Sequence, residues 1–387
     1  MPVTDNRSIL KYLTDDAPFG VSSRVTIQGE ACIAVGLDNG NDAVKITMLN
    51  DAGKAITIRI PTAHRLAKTF QGGQGEVTYQ LGDDAGFWIG EAAIRNAGRA
   101  LRVGSTATRI TDARHVGFLA GCLVEALITA GFAPGAYNLA LGFAVPNSEI
   151  IKESPTSDKL IVSDETKAAL RTHVQDKQWQ ITRTDERGKR TTWQLSVRHL
   201  VPQAQSVGTF VAWAKAPNGR TVTDYDALTI LDIGGGDLQQ TDITLKPAYR
   251  MASERRGDGT IDIARGLKQL LPKAKFNDVT AQYALITRQA LISGKMQPIE
   301  KEVVSVIDTY GQDLVGKMLE IVQETRRFLV ITGGGVLLLK KPLLEMLDAA
   351  DVAADRDYFL VHRDLASALN SVGALFAVLF MAAKTSA

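Results

Sequence analysis

The sequence LTILDIGGGD, residues 228–237, places an aspartate and three glycines at the end of an apolar run that is typical of a buried β-strand. The first half of the chain repeats this plan with IAVGLDNGN at residues 33–41, and a third run, FLVITGGG at residues 328–335, also ends on glycines. Glycines allow a turn to point its backbone N–H groups at an anion. A carboxylate beside the turn can hold Mg²⁺ through water. Two such loops in matched halves, with a third, predict a phosphate-binding protein.

The rest of the pattern indicates an α/β protein with an internal duplication. A chain of 387 residues favours two domains. Strands at 32–37 and 43–49, joined by a tight turn, predict a hairpin, and a further strand is expected at 56–60. A helix is predicted from Ala113 to Ala130, with Thr111 or Asp112 as N-cap and Gly131 as its stop. Further elements are expected as a strand at 137–145, helices at 261–271, 277–292 and 303–326, a strand at 358–361 and a helix at 365–383.

Composition excludes several classes of function. The net charge of +2 is too small to indicate a nucleic-acid surface. The first 30 residues contain no continuous apolar segment of the kind found in a signal peptide, and Val372–Ala383 is too short to span a membrane. Cys32 and Cys122 fall in a predicted strand and a predicted helix, which indicates buried core thiols rather than a disulfide. We therefore expect a cytoplasmic protein with no membrane contact and no direct binding of nucleic acid.

A change of composition marks residues 147–195, which are charged and poor in large aliphatic side chains. Two stretches that contain Trp179 and Trp193 flank the polar sequence DERG at residues 185–188. This arrangement is typical of a surface hairpin, here expected as part of an inserted subdomain.

The two aspartate loops suggest how a polyphosphate could be bound. Asp38 and Asp232 could order Mg²⁺ mainly through its water ligands, while the glycines offer N–H donors. Lys45 follows Asp38 by seven residues on the outgoing strand and could reach a phosphate as a point charge. Taken singly, each loop could also be a tight turn without a ligand, and Lys45 could be an ordinary exposed lysine. The three loops together favour a nucleotide site.

These motifs resemble the superfamily of actin, the sugar kinases and the heat-shock chaperone ATPases. Residues 38–41, DNGN, continuing to Lys45, are similar to its phosphate-1 motif, residues 231–236, LDIGGG, to phosphate-2, and residues 331–335, ITGGG, to the adenosine motif. The segments 199–208 and 366–373 resemble the two connecting motifs. All five occur in the expected order, and within the superfamily the best match is to actin-like proteins of the ParM/StbA plasmid-segregation type.

The resemblance implies a duplicated actin-like (ribonuclease H-like) α/β fold of two domains with a nucleotide cleft between them. The expected divisions are an N-terminal extension at 1–30, domain I at 31–205 plus 361–387, and domain II at 206–360. The expected cofactors are ATP or GTP with Mg²⁺. The implied catalytic residues are Gln203, which would orient the attacking water, with Asp38 and Asp232. The implied nucleotide-binding residues are Asn39, Gly40, Asn41, Lys45, Gly234, Gly235, Gly236, Asp237, Gly333, Gly334 and Gly335.

The resemblance also implies a function and partners. A filament-forming protein that slowly hydrolyses its nucleotide and positions plasmid DNA or another cargo is expected, with a DNA-binding adaptor protein as partner. A small-molecule kinase of the same superfamily would need an acidic base near the γ-phosphate, where this chain has Gln203 and Gln205. A non-polymerising ATPase switch would need an appendage that binds its substrate. Both alternatives remain open at this point.

Overall fold

The computed structural model describes residues 24–67, 76–96, 99–101, 104–154, 160–215, 225–246, 250–325, 327–354, 356–361 and 363–386. Most of the expected N-terminal extension, residues 1–23, lies outside them. Within the described residues, the contacts form two compact units. The first unit contains the segments 24–151, 161–212 and 370–386, and the core of the second unit is the segment 213–369.

The first unit is built on one 11-stranded sheet, with the order β4-β3-β2-β9-β13-β12-β6-β7-β5-β8 and β1 paired to β2. A separate two-stranded sheet contains β10 and β11. The strands are β1 (Arg24–Ile27), β2 (Glu30–Asn39), β3 (Ala43–Leu49), β4 (Ala55–Pro61), β5 (Ala63–Leu66), β6 (Thr78–Leu81), β7 (Phe87–Ile89), β8 (Arg99–Ala100), β9 (Ala136–Val145), β10 (Ile150–Lys152), β11 (Leu160–Val162), β12 (Gln178–Thr184) and β13 (Arg190–Ala204). The hairpin expected from residues 32–49 is confirmed as β2 and β3.

The helices of this part of the chain are α1 (Gly90–Arg95), α2 (Thr106–Ile110), α3 (Ala113–Thr129), α4 (Asp164–His173) and α5 (Gln205–Ala214), with a 3-10 turn at Asn147–Glu149. The expected helix at 113–130 is confirmed as α3. Asp112 caps its start by accepting a hydrogen bond from the backbone N–H of Arg114. Gly131, with φ +91°, follows its end in the left-handed conformation that glycine tolerates. Leu119, Leu123 and Leu127 of this helix are buried in the core of the unit.

The hairpin that contains the two tryptophans consists of β12 and β13, and it differs from the expected surface hairpin. Its strands are part of the large sheet, where β13 is parallel to β9 and β12 pairs with β6. Trp179 and Trp193 are 6% and 1% exposed. The reason is the alternation along each strand, because Trp179, Ile181, Trp193 and Leu195 share the buried face while the residues between them are polar. Large aliphatic residues are scarce in this segment because polar and apolar residues alternate along its strands, and not because the hairpin is exposed.

The second unit contains a five-stranded sheet with the order β16-β15-β14-β19-β20. The strands of this part are β14 (Ala227–Ile233), β15 (Leu238–Thr244), β16 (Arg250–Gly257), β17 (Gln289–Ile292), β18 (Lys295–Pro298), β19 (Phe328–Thr332) and β20 (Tyr358–Leu360). The helices are α6 (Ile261–Leu270), α7 (Asp278–Thr287), α8 (Glu300–Val306), α9 (Gln312–Thr325), α10 (Val336–Ala349) and α11 (Arg363–Ala366), and α12 (Leu369–Ser386) follows. A 3-10 turn lies at Pro272–Ala274, and a π-helical segment, Ile307–Gly311, joins α8 to α9.

The two sheets repeat one topology. In the first unit β2 is antiparallel to β3, β3 is antiparallel to β4, and β2 is parallel to β9, which is parallel to β13. The second unit has the same arrangement: β14 is antiparallel to β15, β15 is antiparallel to β16, and β14 is parallel to β19, which is parallel to β20. The internal duplication expected from the matched glycine loops is therefore confirmed, with β2 equivalent to β14.

Two helix predictions in the second half were too long. The helix expected to reach Ile292 ends at Thr287, because Arg288 adopts φ +58° and the next residues form β17, paired with β18. The helix expected over 365–383 is divided into α11 and α12. Its apolar part is buried as predicted, since Val372 and Phe376 are at most 1% exposed. In the part of the chain that the structure describes, no helix is long and apolar enough to cross a membrane.

Candidate functional site

The first candidate loop joins β2 to β3, and its charged residues form one compact cluster. Asp38 and Lys45 are cross-strand partners, so the seven-residue spacing places them side by side. Lys45 Nζ lies 3.6 Å from Asp38 Oδ2 and 3.2 Å from Asp42 Oδ1. Asp38 and Lys45 are only 2% and 7% exposed. The lysine is therefore a buried member of the loop and not an ordinary exposed strand residue.

Asp42 links this lysine to a second cation, Arg59 of β4. Arg59 Nη2 donates to Asp42 Oδ2 at 3.1 Å. Burial would raise the pKa of Asp42, but Lys45 and Arg59 outweigh it and hold that pKa well below its usual range. Burial likewise would lower the pKa of Lys45, but Asp42 and Asp38 raise it. The loop consequently contains a permanently charged ammonium held beside two carboxylates.

Gly40 provides the space that the lysine occupies. A Cβ at this position would lie 2.8 Å from Lys45 Nζ and 2.6 Å from the backbone oxygen of Ala43. Thr62 holds the turn from behind, because its Oγ1 donates to the oxygen of Gly40 and its N–H donates to the oxygen of Asp42. Among the residues that the structure describes, the N–H groups of Gly40 and Asn41 donate to no backbone acceptor, so both can be offered to an anion.

Asn39 points away from the loop into the core of the unit. Its Oδ1 lies 3.0 Å from Nε2 of His115, and its backbone oxygen accepts from Arg109. Burial, followed by the nearby Arg109, lowers the pKa of His115 to about 3, so this imidazole is neutral. Asn39 Oδ1 thus anchors the end of β2, while its Nδ2 is buried and has no hydrogen-bond partner among the described residues.

The two glutamines after β13 have different surroundings. Gln205, the first residue of α5, donates from Nε2 to Asp38 Oδ1 at 2.8 Å. Gln203 instead turns toward Gly208, since a Cβ on that glycine would lie 3.1 Å from Gln203 Nε2. That Nε2 is buried and has no hydrogen-bond partner among the residues that the structure describes. The sequence points to both glutamines, but only the register of β13 and the start of α5 decide which one reaches Asp38.

The two connecting motifs meet where α5 crosses α12. A Cβ on Gly373 would lie 2.0 Å from the backbone oxygen of Gly208. On the same helix, the oxygen of Ser371 would lie 2.0 Å from a Cβ on Gly36 of β2, and the oxygen of Ala374 equally close to one on Gly142 of β9. Glycine is therefore required at each of these contacts, because the backbones themselves are touching. These contacts position α5, and with it Gln205, against the strand that carries Asp38.

In the second unit, the glycine-rich segments 231–236 and 331–335 are brought together at the end of β14. Asp232 pairs in register with Thr332, the last residue of β19. Gly333 has φ +98°, and a Cβ there would lie 2.4 Å from Asp232 Oδ1. Gly335 donates its N–H to the oxygen of Ile233 at 2.8 Å. The two glycine loops thus form one surface around the Asp232 carboxylate, as the sequence predicts for a single site.

The turn at residues 234–237 has its carbonyl groups tied back. Thr260 donates its N–H to the oxygen of Gly234 at 3.0 Å, and Gln282 Nε2 donates to the oxygen of Gly235 at 2.8 Å. By contrast, the N–H groups of Gly235 and Gly236 donate to no backbone acceptor of the described residues. A half-buried turn with engaged carbonyls and unengaged N–H groups is suited to an anion. Sequence reasoning missed Gln282, because it comes from α7 and has no local signal.

Asp237 closes this turn. Its backbone oxygen accepts from the N–H of Gly234 at 2.8 Å, and its Oδ2 accepts from Gln239 Nε2 at 2.6 Å. Behind it, a Cβ on Gly259 would lie 2.1 Å from the oxygen of Gly234, so Gly259 allows the start of α6 to pack directly on the turn. The side chain of Asp237 therefore shapes the loop through Gln239.

Comparison with known proteins identifies the fold. No protein-family model matches the sequence, and no curated protein sequence matches it. The structure is similar to that of Ta0583, an archaeal actin homolog, with a TM-score of 0.62 and 17% identity over 89% of this chain and 99% of that chain. It is also similar to ParM of Bacillus thuringiensis with ATP, with a TM-score of 0.59 and 13% identity over 90% of this chain and 98% of that chain. The chain has the actin-like fold.

The actin-like fold confirms the predicted fold class, a duplicated α/β architecture of two domains. A third solved structure, Ta0583 in complex with ADP, matches with a TM-score of 0.61 and 17% identity over 89% of this chain and 99% of that chain. The strands β2 and β14, which carry Asp38 and Asp232, are the equivalent central strands of the two actin-like halves.

Proposed function

We propose that this protein is a nucleotide-dependent, filament-forming actin-like protein that binds ATP or GTP with Mg²⁺ and hydrolyses it slowly. One observation carries the proposal. In each unit, the central strand of the repeated topology ends on a glycine turn whose carbonyl groups are held from behind, with a carboxylate at the strand end. Support also comes from two proteins of the same fold, an archaeal actin homolog solved with ADP and a ParM solved with ATP.

Each loop has a distinct proposed task toward the nucleotide. The backbone of Gly40 and Asn41 and the ammonium of Lys45 would bind phosphate oxygens at the first loop, with Asn39 contributing through its Nδ2, which has no partner among the described residues. Gly234, Gly235 and Gly236 would bind phosphate at the second loop, which Asp237 holds in shape. Gly333, Gly334 and Gly335 would lie against the nucleoside, where the absence of side chains allows close approach. To reach a phosphate, Lys45 has to exchange Asp42 for the new anion.

Asp38 and Asp232 are each proposed to hold Mg²⁺ mainly through its waters. The ion prefers oxygen ligands and retains several waters when it binds to one or two carboxylates and a phosphate. Gln205 fixes the orientation of the Asp38 carboxylate by donating to Oδ1 at 2.8 Å. When bound, Mg²⁺ would neutralise negative charge on the phosphates.

Gln203 is proposed to orient the attacking water. A glutamine amide can accept a hydrogen bond from water, but it cannot remove a proton, so hydrolysis is expected to be slow. Its buried Nε2 faces α5, which leaves its Oε1 as the acceptor. Slow hydrolysis would act as a timer on an assembled state. Head-to-tail association through a contact that does not close a ring produces a filament.

The cargo is proposed to be plasmid DNA or another intracellular body, held through a DNA-binding adaptor protein. The net charge of +2 supports an adaptor, because direct binding of DNA requires a strongly basic surface. No specific contact of the described residues supports a small-molecule kinase or a non-polymerising switch, and the segment 199–208 offers Gln203 and Gln205 but no carboxylate that could act as a kinase's base.

The decisive experiment is sedimentation and electron microscopy of the protein at micromolar concentration with Mg²⁺ and ATP or GTP. We expect filaments with at least one of the two nucleotides and release of inorganic phosphate without any acceptor molecule. If no sedimentable polymer forms with either nucleotide, the filament proposal is wrong. Nucleotide binding without polymer would then support a non-polymerising ATPase.

Two single variants separate the roles of the glutamines. Gln203→Ala is expected to lower kcat by about tenfold to 100-fold, because the attacking water loses its orientation, and to lengthen filament lifetime at nearly unchanged nucleotide affinity. Gln205→Ala is expected to weaken the binding of the Mg²⁺–nucleotide complex, because Asp38 Oδ1 loses the hydrogen bond that orients the carboxylate. Unchanged turnover in the first variant would remove Gln203 from the mechanism.

A further inference from the structure

A second cluster of potential ligands lies on the same sheet at the other end of β2. Glu30, Cys32 and His199 each offer one ligand atom, and these three atoms lie within 4.8 Å of one another. Glu30 and Cys32 are two residues apart on β2, so their side chains project from the same face of the strand. His199 comes from β13, on the other side of β9 in the sheet. Glutamate, cysteine and histidine together are the residue types that bind zinc in proteins.

A β-bulge directs two consecutive side chains of β13 to this cluster. The register with β9 shifts between Val197 and His199, so Arg198 is the extra residue. Neighbouring residues of a regular strand point to opposite faces, whereas a bulge re-aims one of them. As a result, both Arg198 and His199 contact Glu30, through Nη2 to Oε1 at 2.9 Å and Nε2 to Oε2 at 3.4 Å respectively.

Small residues leave room for the cluster above the sheet. Ala34 of β2 and Ala140 of β9 are cross-strand partners, and Ala140 is also the partner of His199. Partners in register share a face, so Ala34 and Ala140 lie on the side to which Glu30, Cys32 and His199 project. Ala140 therefore places only a methyl group between β2 and His199 on this face, while Asn138 lies opposite Cys32.

His199 presents an unsatisfied nitrogen at this point. Its Nε2 is buried and makes no aligned hydrogen bond with any described residue, although Glu30 lies at ion-pair distance. A buried polar atom without a partner is uncommon in a native fold and calls for a cause, such as a bound ion. Cys32 is also a free thiol, 2% exposed.

We propose that Glu30, Cys32 and His199 bind a divalent transition metal ion of the zinc type. Three protein ligands of this kind leave the fourth tetrahedral position to water or another small ligand. On binding, the metal–sulfur bond replaces the S–H bond of Cys32 and the thiol proton is released to solvent. Arg198 acts on the ion through Glu30, because its Nη2 donates to Oε1 at 2.9 Å and its Nε donates to Oε2 at 3.4 Å, which fixes the carboxylate beside the histidine.

This site is separate from the proposed nucleotide site. Cys32 and Asp38 are six residues apart on one strand, which corresponds to about 20 Å. The two sites also use different ligand chemistry, since Mg²⁺ prefers oxygen and disfavours thiolate. Failure of nucleotide binding would therefore leave the metal proposal unaffected.

Titration of the metal-free full-length protein with Co²⁺ and Zn²⁺ tests the proposal. We expect one Co²⁺ per chain, with an intense sulfur-to-cobalt charge-transfer absorption, and displacement of Co²⁺ by Zn²⁺. Cys32→Ser should abolish the charge-transfer band and weaken Zn²⁺ binding by at least about tenfold. Cys122→Ser is the matched control, because Cys122 is a free buried cysteine of α3 in the same unit. It should retain the band.

A second variant distinguishes the loss of a metal ligand from the loss of the fold. His199→Gln keeps a polar side chain of similar size, and circular dichroism would show whether the fold is retained. A folded His199→Gln protein should keep the sulfur band but bind Zn²⁺ at least about tenfold more weakly. The proposal is overturned if the wild-type protein binds no Co²⁺ with a sulfur signature, or if Cys32→Ser binds Zn²⁺ as tightly as the wild type does.

Discussion

Gly373 of α12 touches Gly208 of α5 through the backbone, and this contact predicts a large effect for one added methyl group. In Gly373→Ala, the Cβ would meet the oxygen, Cα and carbonyl carbon of Gly208 at 2.0, 2.2 and 2.3 Å. Ordinary van der Waals contact begins near 3.4 Å, so the helices would have to separate by about 1.4 Å. A backbone cannot rotate away as a side chain can, and therefore the overlap must be relieved by moving a whole helix.

Two terms of opposite sign decide the magnitude. Replacing glycine by alanine inside a helix stabilises it by about 1 kcal/mol. Overpacking costs about 1–3 kcal/mol, and a contact between backbones places Gly373→Ala at the upper end. We therefore expect a net loss of about 2 kcal/mol in the free energy of unfolding of the first unit. For a domain of roughly 200 residues this lowers Tm by about 4–8 °C.

Gly316 of α9 is the matched control, because a Cβ there meets no atom within 4 Å. Gly316→Ala should stabilise its unit by about 1 kcal/mol through helix propensity alone. Three of the four tryptophans, Trp88, Trp179 and Trp193, are buried in the first unit, so tryptophan fluorescence in urea reports mainly the unfolding of that unit, and circular dichroism follows the control.

A Gly373→Ala protein that is as stable as the wild type would refute this reasoning. It would mean that α5 and α12 can move apart without cost, and that their crossing does not position Gln205. If the contact does position Gln205, Gly373→Ala should also lower nucleotide turnover, whereas Gly316→Ala should leave it unchanged.

Two further predictions concern the loops and the core. Burial and the nearby Arg109 lower the pKa of His115 to about 3, whereas it is about 6.5 in the unfolded chain. Between these two values only the unfolded state binds the proton, so the free energy of unfolding falls as the pH decreases below 6.5. Between pH 6.5 and 5, protonation of His115 in the unfolded state should lower the free energy of unfolding by about 2 kcal/mol. His115→Gln should therefore flatten the pH dependence of urea unfolding, and an unchanged pH dependence would contradict this role of His115. Gly333→Ala, at φ +98° and against Asp232, should destabilise by about 2–3 kcal/mol and weaken nucleotide binding. Gly131→Ala is the control, because Gly131 has φ +91° and a Cβ there would meet no atom within 4 Å; it should lower the free energy of unfolding by only about 1 kcal/mol. If Gly333→Ala and Gly131→Ala destabilise the protein equally, the contact between residue 333 and Asp232 is unimportant.

Elements with a strong local pattern could be predicted from the sequence. The hairpin β2–β3 and the helix α3 follow from short apolar runs bounded by a turn or by Asp112 and Gly131. The predictions that failed have two different causes, a missing local signal and a misread one. Nothing in the run after Thr287 shows that Arg288 adopts a left-handed conformation and starts a new strand. Near Trp193, the composition indicated exposure although the alternation along the strand buries that side chain.

The sequence by itself determined that two matched halves each end a buried strand on an aspartate and a glycine turn, because strand, turn and carboxylate are encoded within about ten residues. Only the tertiary structure decided that Gln205 and not Gln203 reaches Asp38, since that choice depends on where β13 gives way to α5. Likewise, a one-residue bulge in β13 brings His199 to Cys32 from 167 positions away. Register across a sheet arises from packing over the whole unit, and no local stretch of sequence contains it.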